Sequence, residues 1–441
     1  MKFGLSQPMR RVEDPRLLRG DGRYTDDVSL PGQSWGVVLR SPYAHAAIRS
    51  IDKAPALAVK GVLGVFTGED LKKAGLGDVP CMIPLKSRDG SPRTETPHPA
   101  LAVGRVRHVG DPVAFVVGES LQAARDGAEA LAVDYEELPS VTDLAQAHRA
   151  DTPLVWEAAR QNLCFDWETG DKTETDRLFK EAAHVTKLTV VNNRIVVASV
   201  EARAAVAEYD AASNRFTLHA NTQGSWQLKD MLAKFVFNLP PEQFRVITPD
   251  VGGGFGMKLF LYPEHVMVCF AARALGRPVK WASDRAEAFL SDTHGRDNIT
   301  TGELALDKDG RFLALRTTTL ANMGAYLSNY APFIPTGAGS KVLPSVYGFR
   351  SVYVNVLGLL TNTTPVDAYR GAGRPEANYV VERLIDAAAR ELKIDRVELR
   401  RRNMVPPAAM PWKTPTGAVY DSGDFVTVLD AGLKKIDWAG F

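Results

Sequence analysis

Val251-Gly252-Gly253-Gly254-Phe255-Gly256-Met257-Lys258 is the segment best equipped for chemistry. Four glycines in five positions leave backbone N–H groups uncovered by any Cβ and permit positive φ, so the loop can close on an anionic or oxo-bearing ligand. A Walker loop would continue with Gly-Lys-Ser/Thr, and the dinucleotide fingerprint would need glycine where Met257 stands; neither is met. A plain tight turn is the alternative, and Phe255, expected to be buried among the glycines, favours a functional loop over it. In Ala368-Tyr369-Arg370-Gly371-Ala372-Gly373-Arg374-Pro375, two arginines flank two glycines just before a helix. That arrangement can aim a guanidinium at a phosphate or a developing oxyanion, the alternative being an arginine paired within its own loop. Asn221-Thr222-Gln223-Gly224 joins a strand to a helix and reads by itself as a polar turn. Glu201 and Arg203 are charged residues in an apolar strand context, expected to pair with each other or to lie on an exposed edge. There is no Gly-x-Ser-x-Gly elbow and no His-x-x-x-His pair, so hydrolase and zinc-protease chemistry lose support, and His219 and His265 read as structural.

The elements that must hold these segments can be read from periodicity. Near the start, Trp35–Leu39 and Ala46–Ile51 read as strands, and Thr67 with Asp70 forms a capping box that opens a short helix. Val113–Val117 is an apolar strand, Ser120 an N-cap, Leu121, Ala124, Ala128 and Leu131 one face of a helix, and Val133 and Tyr135 part of a following strand. Strand, helix and strand within about 30 residues predict a βαβ crossover and a partly parallel sheet. The Pro-, Ser- and Arg-rich stretch Asp78–Pro99 reads as an excursion loop, and periodicity breaks at 140–165, where a domain boundary is expected. Beyond it, Val185–Val191, Ile195–Tyr209, Arg215–Ala220 and Phe244–Thr248 read as strands, and Trp226–Phe237 and Pro263–Gly276 as helices. Asp309-Gly310 predicts a hairpin between Thr300–Asp307 and Phe312–Leu320. Val381, Leu384, Ala388 and Leu392 stripe a helix after Pro375, Asp395 and Glu398 predict a second capping box, and Asp421–Phe441 reads as folded helix.

With 441 residues, 53 Lys+Arg against 52 Asp+Glu and a net charge of +1, the chain has no field to hold a polyanion. Arg400-Arg401-Arg402 is the densest basic patch and reads as an exposed helix face, so nucleic acid is not an expected partner. No apolar run approaches a membrane span, and Met1 to Pro8 holds no hydrophobic region, so a cytoplasmic location is expected. Cys81, Cys164 and Cys269 lack any Cys-x-x-Cys spacing, which argues against a disulfide framework or a protein-held iron–sulfur cluster.

Together these segments resemble the molybdenum-binding large subunit of the xanthine dehydrogenase and aldehyde oxidase family, especially its carbon-monoxide-dehydrogenase-like bacterial branch. The likeness begins in Leu18 to Asp27, passes through Ser41 to Ala46 and His108 to Val113, takes in both glycine motifs and ends in Glu391 to Asn403. It implies an α+β (mixed α/β) fold: an α/β hammerhead domain over 1–150, then over 151–441 the first molybdopterin-binding domain, half of the family's molybdenum-binding region. It implies molybdopterin in its cytosine dinucleotide form with molybdenum held by the pterin dithiolene, so that no protein metal ligand is expected. Gln223 and the backbone of Gly253, Gly254, Phe255 and Gly256 would border the cofactor. Arg370 would contact cofactor and substrate and stabilise transition-state charge.

The implied reaction is oxidation of an aldehyde or N-heteroaromatic substrate with water as the oxygen source. Gly371 stands where carbon monoxide dehydrogenase carries its copper-binding cysteine, and Leu259 where xanthine-oxidising members carry a glutamate, so neither CO nor xanthine is expected. The family's catalytic glutamate follows Gly-x-Gly. The Gly-Glu pairs here, at Gly68, Gly118 and Gly302, have Phe66, Val116 and Thr300 two positions before the glycine. The general base is therefore expected on a partner, a second molybdopterin-binding subunit. FAD and 2Fe-2S subunits would take the electrons, in a dimer of heteromers. The alternative is a non-catalytic scaffold or truncated remnant of such a subunit.

Overall fold

The structure is a computed structural model and describes residues 9–440, so the readings of Met1 to Pro8 and of Phe441 lie outside the described residues. Two large mixed sheets organise the α/β fold. The first has seven strands in the order Phe244–Ile247, Arg215–Ala220, Ala204–Asp210, Val279–Ala282, Ser34–Arg40, Pro112–Gly118, Val62–Thr67. The second has five, in the order Leu163–Gly170, Ser351–Leu360, Phe312–Gly324, Asn298–Leu306, His184–Asn192. Strands from either side of residue 150 thus share one sheet, with Ser34 and Trp35 pairing in parallel with Val279 and Lys280.

Each sheet buries a face under a helix. Pro263–Leu275 is apolar on nearly every side, with Val266, Val268, Cys269 and Ala272 fully buried against the seven-stranded sheet. It starts with proline at its first position and stops at Gly276, whose φ of 62° suits a residue without Cβ. The stripe Val381, Leu384 and Ala388 of Arg374–Leu392 covers the five-stranded sheet. That approach is close: a Cβ on Gly302 would lie 2.6 Å from Leu384 Cδ1, so the helix sits where the strand has no side chain. The Asp309-Gly310 hairpin forms as expected, pairing Asn298–Leu306 with Phe312–Gly324.

Several expectations are corrected. Pro112–Gly118 and Ala132–Glu137 flank the Ser120-capped helix, but they belong to different sheets and pair only antiparallel, so there is no βαβ crossover. The strands differ in what they can bury. Every residue of the first is buried, which places it inside a sheet, whereas the second alternates towards solvent and ends a three-stranded sheet with Ala46–Asp52 and Arg105–Val106. Only Ala204–Asp210 of the expected 195–209 strand is formed. The preceding residues leave the sheet because Glu201 and Arg203 are drawn into separate buried ion pairs, Glu201 with Lys258 and Arg203 with Glu264 and Asp292. The expected helix over 226–237 is α-helical for Ser225–Met231 and π-helical for Leu232–Phe237. At Asp395 the carboxylate caps the N–H groups of Val397 and Glu398, but Glu398 pairs with Arg401 and Arg402, so the cap is one-sided. Those pairs, with Arg400 on Glu382 and Asp386, neutralise the basic triplet.

Candidate functional site

Strands Arg215–Ala220 and Phe244–Ile247 run parallel and adjacent, so their C-terminal loops leave the same end of the sheet. That pairing brings Asn221–Gly224 beside Val251–Lys258, on the sheet edge where open α/β sheets expose ligand-binding loops. Gln223 Oε1 accepts the Gly256 N–H at 2.8 Å, and the Gln223 N–H donates to Lys258 O at 2.9 Å. Thr222 Oγ1 donates to the same Lys258 carbonyl at 3.0 Å. The Gln223 amide is thereby anchored by its oxygen, and its two Nε2 protons remain as donors.

Glycine is required in this loop for two different reasons. Gly253 and Gly256 have φ of 94° and 97°, and Phe255 shares the left-handed region at 52°. At Gly254 the limit is contact: a Cβ would lie 2.5 Å from Gln223 Oε1. Phe255 is 43% exposed rather than buried, because its backbone conformation turns the ring out of the core.

The third segment arrives from the other sheet. After Ser351–Leu360 the chain crosses to the glycine loop, where the Arg370 N–H donates to Phe255 O at 2.8 Å. The Arg370 guanidinium stands 5.8 Å from the Phe255 ring centroid. A Cβ on Gly256 would lie 2.7 Å from Ala368 O, so the two loops touch backbone to backbone. Arg296, which the sequence reading did not single out, fixes this loop. Its Nη1 donates to Tyr369 O at 2.9 Å and its Nη2 to Arg370 O at 2.7 Å, while buried Glu376 balances its charge. Arg370 itself stays exposed, so its backbone is held and its guanidinium is available. Gln223, Gly253 to Gly256 and Arg370 are therefore one surface site, assembled from segments far apart in the chain.

Behind it lies a layer of buried charge that the sequence reading missed. Lys258 is surrounded by Met257, Leu259 and Phe260, and a lone lysine in an apolar run is the signal that could have exposed it, since such an ammonium needs a partner. It finds Glu201 at 2.8 Å, and burial still holds it below the usual lysine range. Asp367 is almost fully buried, accepts the N–H groups of Tyr330 and Ala368 at 2.9 and 2.7 Å, and is pushed up to about 6 by burial. His265 is buried against Tyr262 and held down to about 3 by burial, with the nearby Arg203 charge adding to it, a structural histidine as expected. His219 is likewise lowered by burial.

Residues 155–404 match the molybdopterin cofactor-binding domain, and residues 19–139 the a/b hammerhead domain of aldehyde oxidase and xanthine dehydrogenase. The carbon monoxide dehydrogenase large chain of Afipia carboxidovorans is 34% identical over 452 residues, 99% of this chain and 54% of that protein. The nicotine 6-hydroxylase large subunit of Paenarthrobacter nicotinovorans is 33% identical over 98% of this chain and 52% of its own length. Among solved structures, quinoline 2-oxidoreductase from Pseudomonas putida 86 superposes with a TM-score of 0.90 at 35% identity, covering 98% of this chain and 54% of that one. The chain spans about half the length of the curated relatives it matches. With both domains in order and a whole-chain superposition, the chain belongs to the molybdopterin-binding large-subunit family of xanthine dehydrogenase and aldehyde oxidase type.

Proposed function

We propose that this chain forms one wall of the molybdenum-cofactor site of a multi-subunit hydroxylase acting on an aldehyde or an N-heteroaromatic ring. The observation that carries this is the hydrogen-bonded meeting of Gln223, the glycine loop and Arg370 on an exposed surface. The residues fit such a group: Cβ-free backbone at Gly253, Gly254 and Gly256 makes a cradle that any side chain would fill, and the Gln223 Nε2 donors and the Arg370 guanidinium suit oxo and anionic acceptors.

When bound, the cofactor supplies two-electron redox chemistry at a metal held by its own dithiolene. This chain's residues orient and stabilise around it. Gln223 donates to an oxygen at the rim. The 253–256 backbone fixes distance, because no side chain stands between main chain and ligand. Arg370 faces the substrate and stabilises negative charge as it develops on the attacked carbon's substituent, with its backbone pre-set by Phe255 and Arg296 so that little reorganisation is needed. The general base and the remaining wall would come from a second molybdopterin-binding subunit, and 2Fe-2S and FAD subunits would take up the electrons. The cytosine dinucleotide form of the pterin belongs to the same reading.

Substrate class follows from two positions. Gly371 has φ of 96°, and a Cβ there would lie 2.5 Å from Pro375 Cγ, which supports the absence of a cysteine-held copper. Leu259, packed partly buried against Met257 and Phe260, puts a hydrocarbon side chain at the position where xanthine-oxidising members carry a purine-gripping carboxylate. The deciding experiment is metal analysis with cofactor extraction on the chain purified from its native host with whatever accompanies it. Molybdenum near one per chain, with iron, flavin and a second pterin-binding subunit, is expected. A metal-free chain under conditions where the partners are expressed would overturn the proposal in favour of a scaffold.

A further inference from the structure

Glu201 and Lys258 belong to neither the cofactor rim nor the substrate face, yet they tie both ends of the glycine loop. Glu201 Oε2 accepts the Gly252 N–H at 2.7 Å at the start of the loop and the Lys258 ammonium at 2.8 Å at its end. Lys258 Nζ also donates to Glu201 O at 2.8 Å, and the Glu201 N–H donates to Gly252 O at 3.1 Å. The Lys258 side chain is fully buried, and the other carboxylate oxygen, Oε1, is buried without a hydrogen-bond partner. One oxygen atom therefore closes a ring of backbone and side chain around residues 252–258. Outside that ring, Lys258 O receives both Gln223 N–H and Thr222 Oγ1. A buried pair rarely adds net stability, because desolvation offsets attraction; what it does supply is a defined geometry. Here that geometry is the left-handed backbone at Gly253, Phe255 and Gly256, which glycine-rich sequence alone leaves free to relax.

We propose that the Glu201–Lys258 couple is a positioning device that holds the glycine loop, and through Lys258 O the Gln223 segment, in the shape that receives the cofactor. The couple acts through the loop and touches no substrate. The proposal rests on the cofactor-site reading above. Removing the couple should loosen the loop while leaving the two large apolar cores, of which neither residue is a member, intact.

The test uses the assembled protein with Glu201→Gln, Lys258→Met, the double variant and Lys258→Arg, read by hydrogen–deuterium exchange and by molybdenum per chain. Each single variant is expected to speed exchange in the peptide 249–258 by about tenfold, with core peptides unchanged and molybdenum content lowered. The double variant should be no worse than the worse single, since the two residues form one unit, and Lys258→Arg should restore part of the protection. Exchange within about twofold of the parent, or a rise spread evenly over the whole chain, overturns the proposal. Isosteric Glu201→Gln keeps the volume and one acceptor, so it reports on the couple even if Lys258→Met fails to fold. If the parent protein itself carries no molybdenum, the cofactor reading fails, while exchange still decides whether the couple holds the loop.

Discussion

Gln223 and Gly256, 33 residues apart, are joined by a 2.8 Å hydrogen bond from the Gly256 N–H to the Gln223 side-chain oxygen, directly beneath the point where a Cβ on Gly254 would fall. Gly254→Ala therefore displaces Gln223 without demanding a strained φ. Stability should fall by less than about 1 kcal/mol, while cofactor content drops severalfold. Gly256→Ala differs, because positive φ and the Ala368 carbonyl oppose it together, and it should cost about 2 kcal/mol. Thermal melts and molybdenum analysis of the two variants check this; equal molybdenum content in Gly254→Ala and parent would refute the coupling.

Arg370 is exposed and makes its structural bonds through its backbone, so Arg370→Ala should leave the melting temperature unchanged. Its guanidinium role predicts at least a tenfold loss in kcat/KM, about 1.4 kcal/mol of transition-state stabilisation. Steady-state kinetics of the complete complex would sink the role if the loss were smaller.

Arg203 is 2% exposed, pairs with Glu264 and Asp292 at 2.7 and 2.6 Å, and lies 3.6 Å over the Tyr262 ring. Its loss leaves buried Asp292 without its arginine and Glu264 with Arg40 alone, so Arg203→Met should destabilise by about 3–5 kcal/mol. Arg177, which pairs with Glu174 and Glu181 on an exposed helix face, is the comparison: Arg177→Ala should cost under about 1 kcal/mol. Urea midpoints of the two variants, if alike, would contradict the contrast.

Burial holds His98 and His294 down to about 4 and His265 to about 3. Unfolded, each takes a proton near pH 6.5, so between that pH and about 4 the unfolded state binds more protons and stability falls as pH falls. The slope is up to about 1.4 kcal/mol per pH unit for each histidine. Asp367, pushed up to about 6, works in the opposite sense over part of that window, as do Asp78 and Glu287, which burial also raises; burial lowers His45, His108 and His219 as well, so the lowered histidines outnumber the raised carboxylates. A urea midpoint at pH 5 equal to or above that at pH 7 would refute the expectation.

Most elements were legible because their signals are local. Ser120 caps its helix and Asp309-Gly310 turns its hairpin through neighbours within a few residues. Two of the misreadings come from contacts made far along the chain. Leaving the sheet at 195–203 depends on Lys258, Glu264 and Asp292, and the strand at 132–137 chose its sheet by which face could be buried. Among the candidate site residues, Gly253 to Gly256 and Arg370 carried motif signals, whereas Gln223 stood in a plain polar turn and was marked only by the family resemblance. Arg296 and Glu376 did not, because an arginine or glutamate in a loop looks the same in sequence whether it is solvated or buried; Glu201 stood out by its apolar context, but its partner Lys258, 57 residues away, did not.

The sequence by itself determined where the backbone could adopt left-handed turns, which stripes had to be buried and which polar side chains were candidates for chemistry, since these are properties of residue type and spacing. Only the tertiary structure decided that these candidates meet. The parallel pairing of Arg215–Ala220 with Phe244–Ile247 sets Gln223 beside the glycine loop, and the crossing from the second sheet sets Arg370 on Phe255. Strand pairing and buried charge are chosen by the whole chain at once, through burial and desolvation summed over distant segments, and no local spacing encodes that sum.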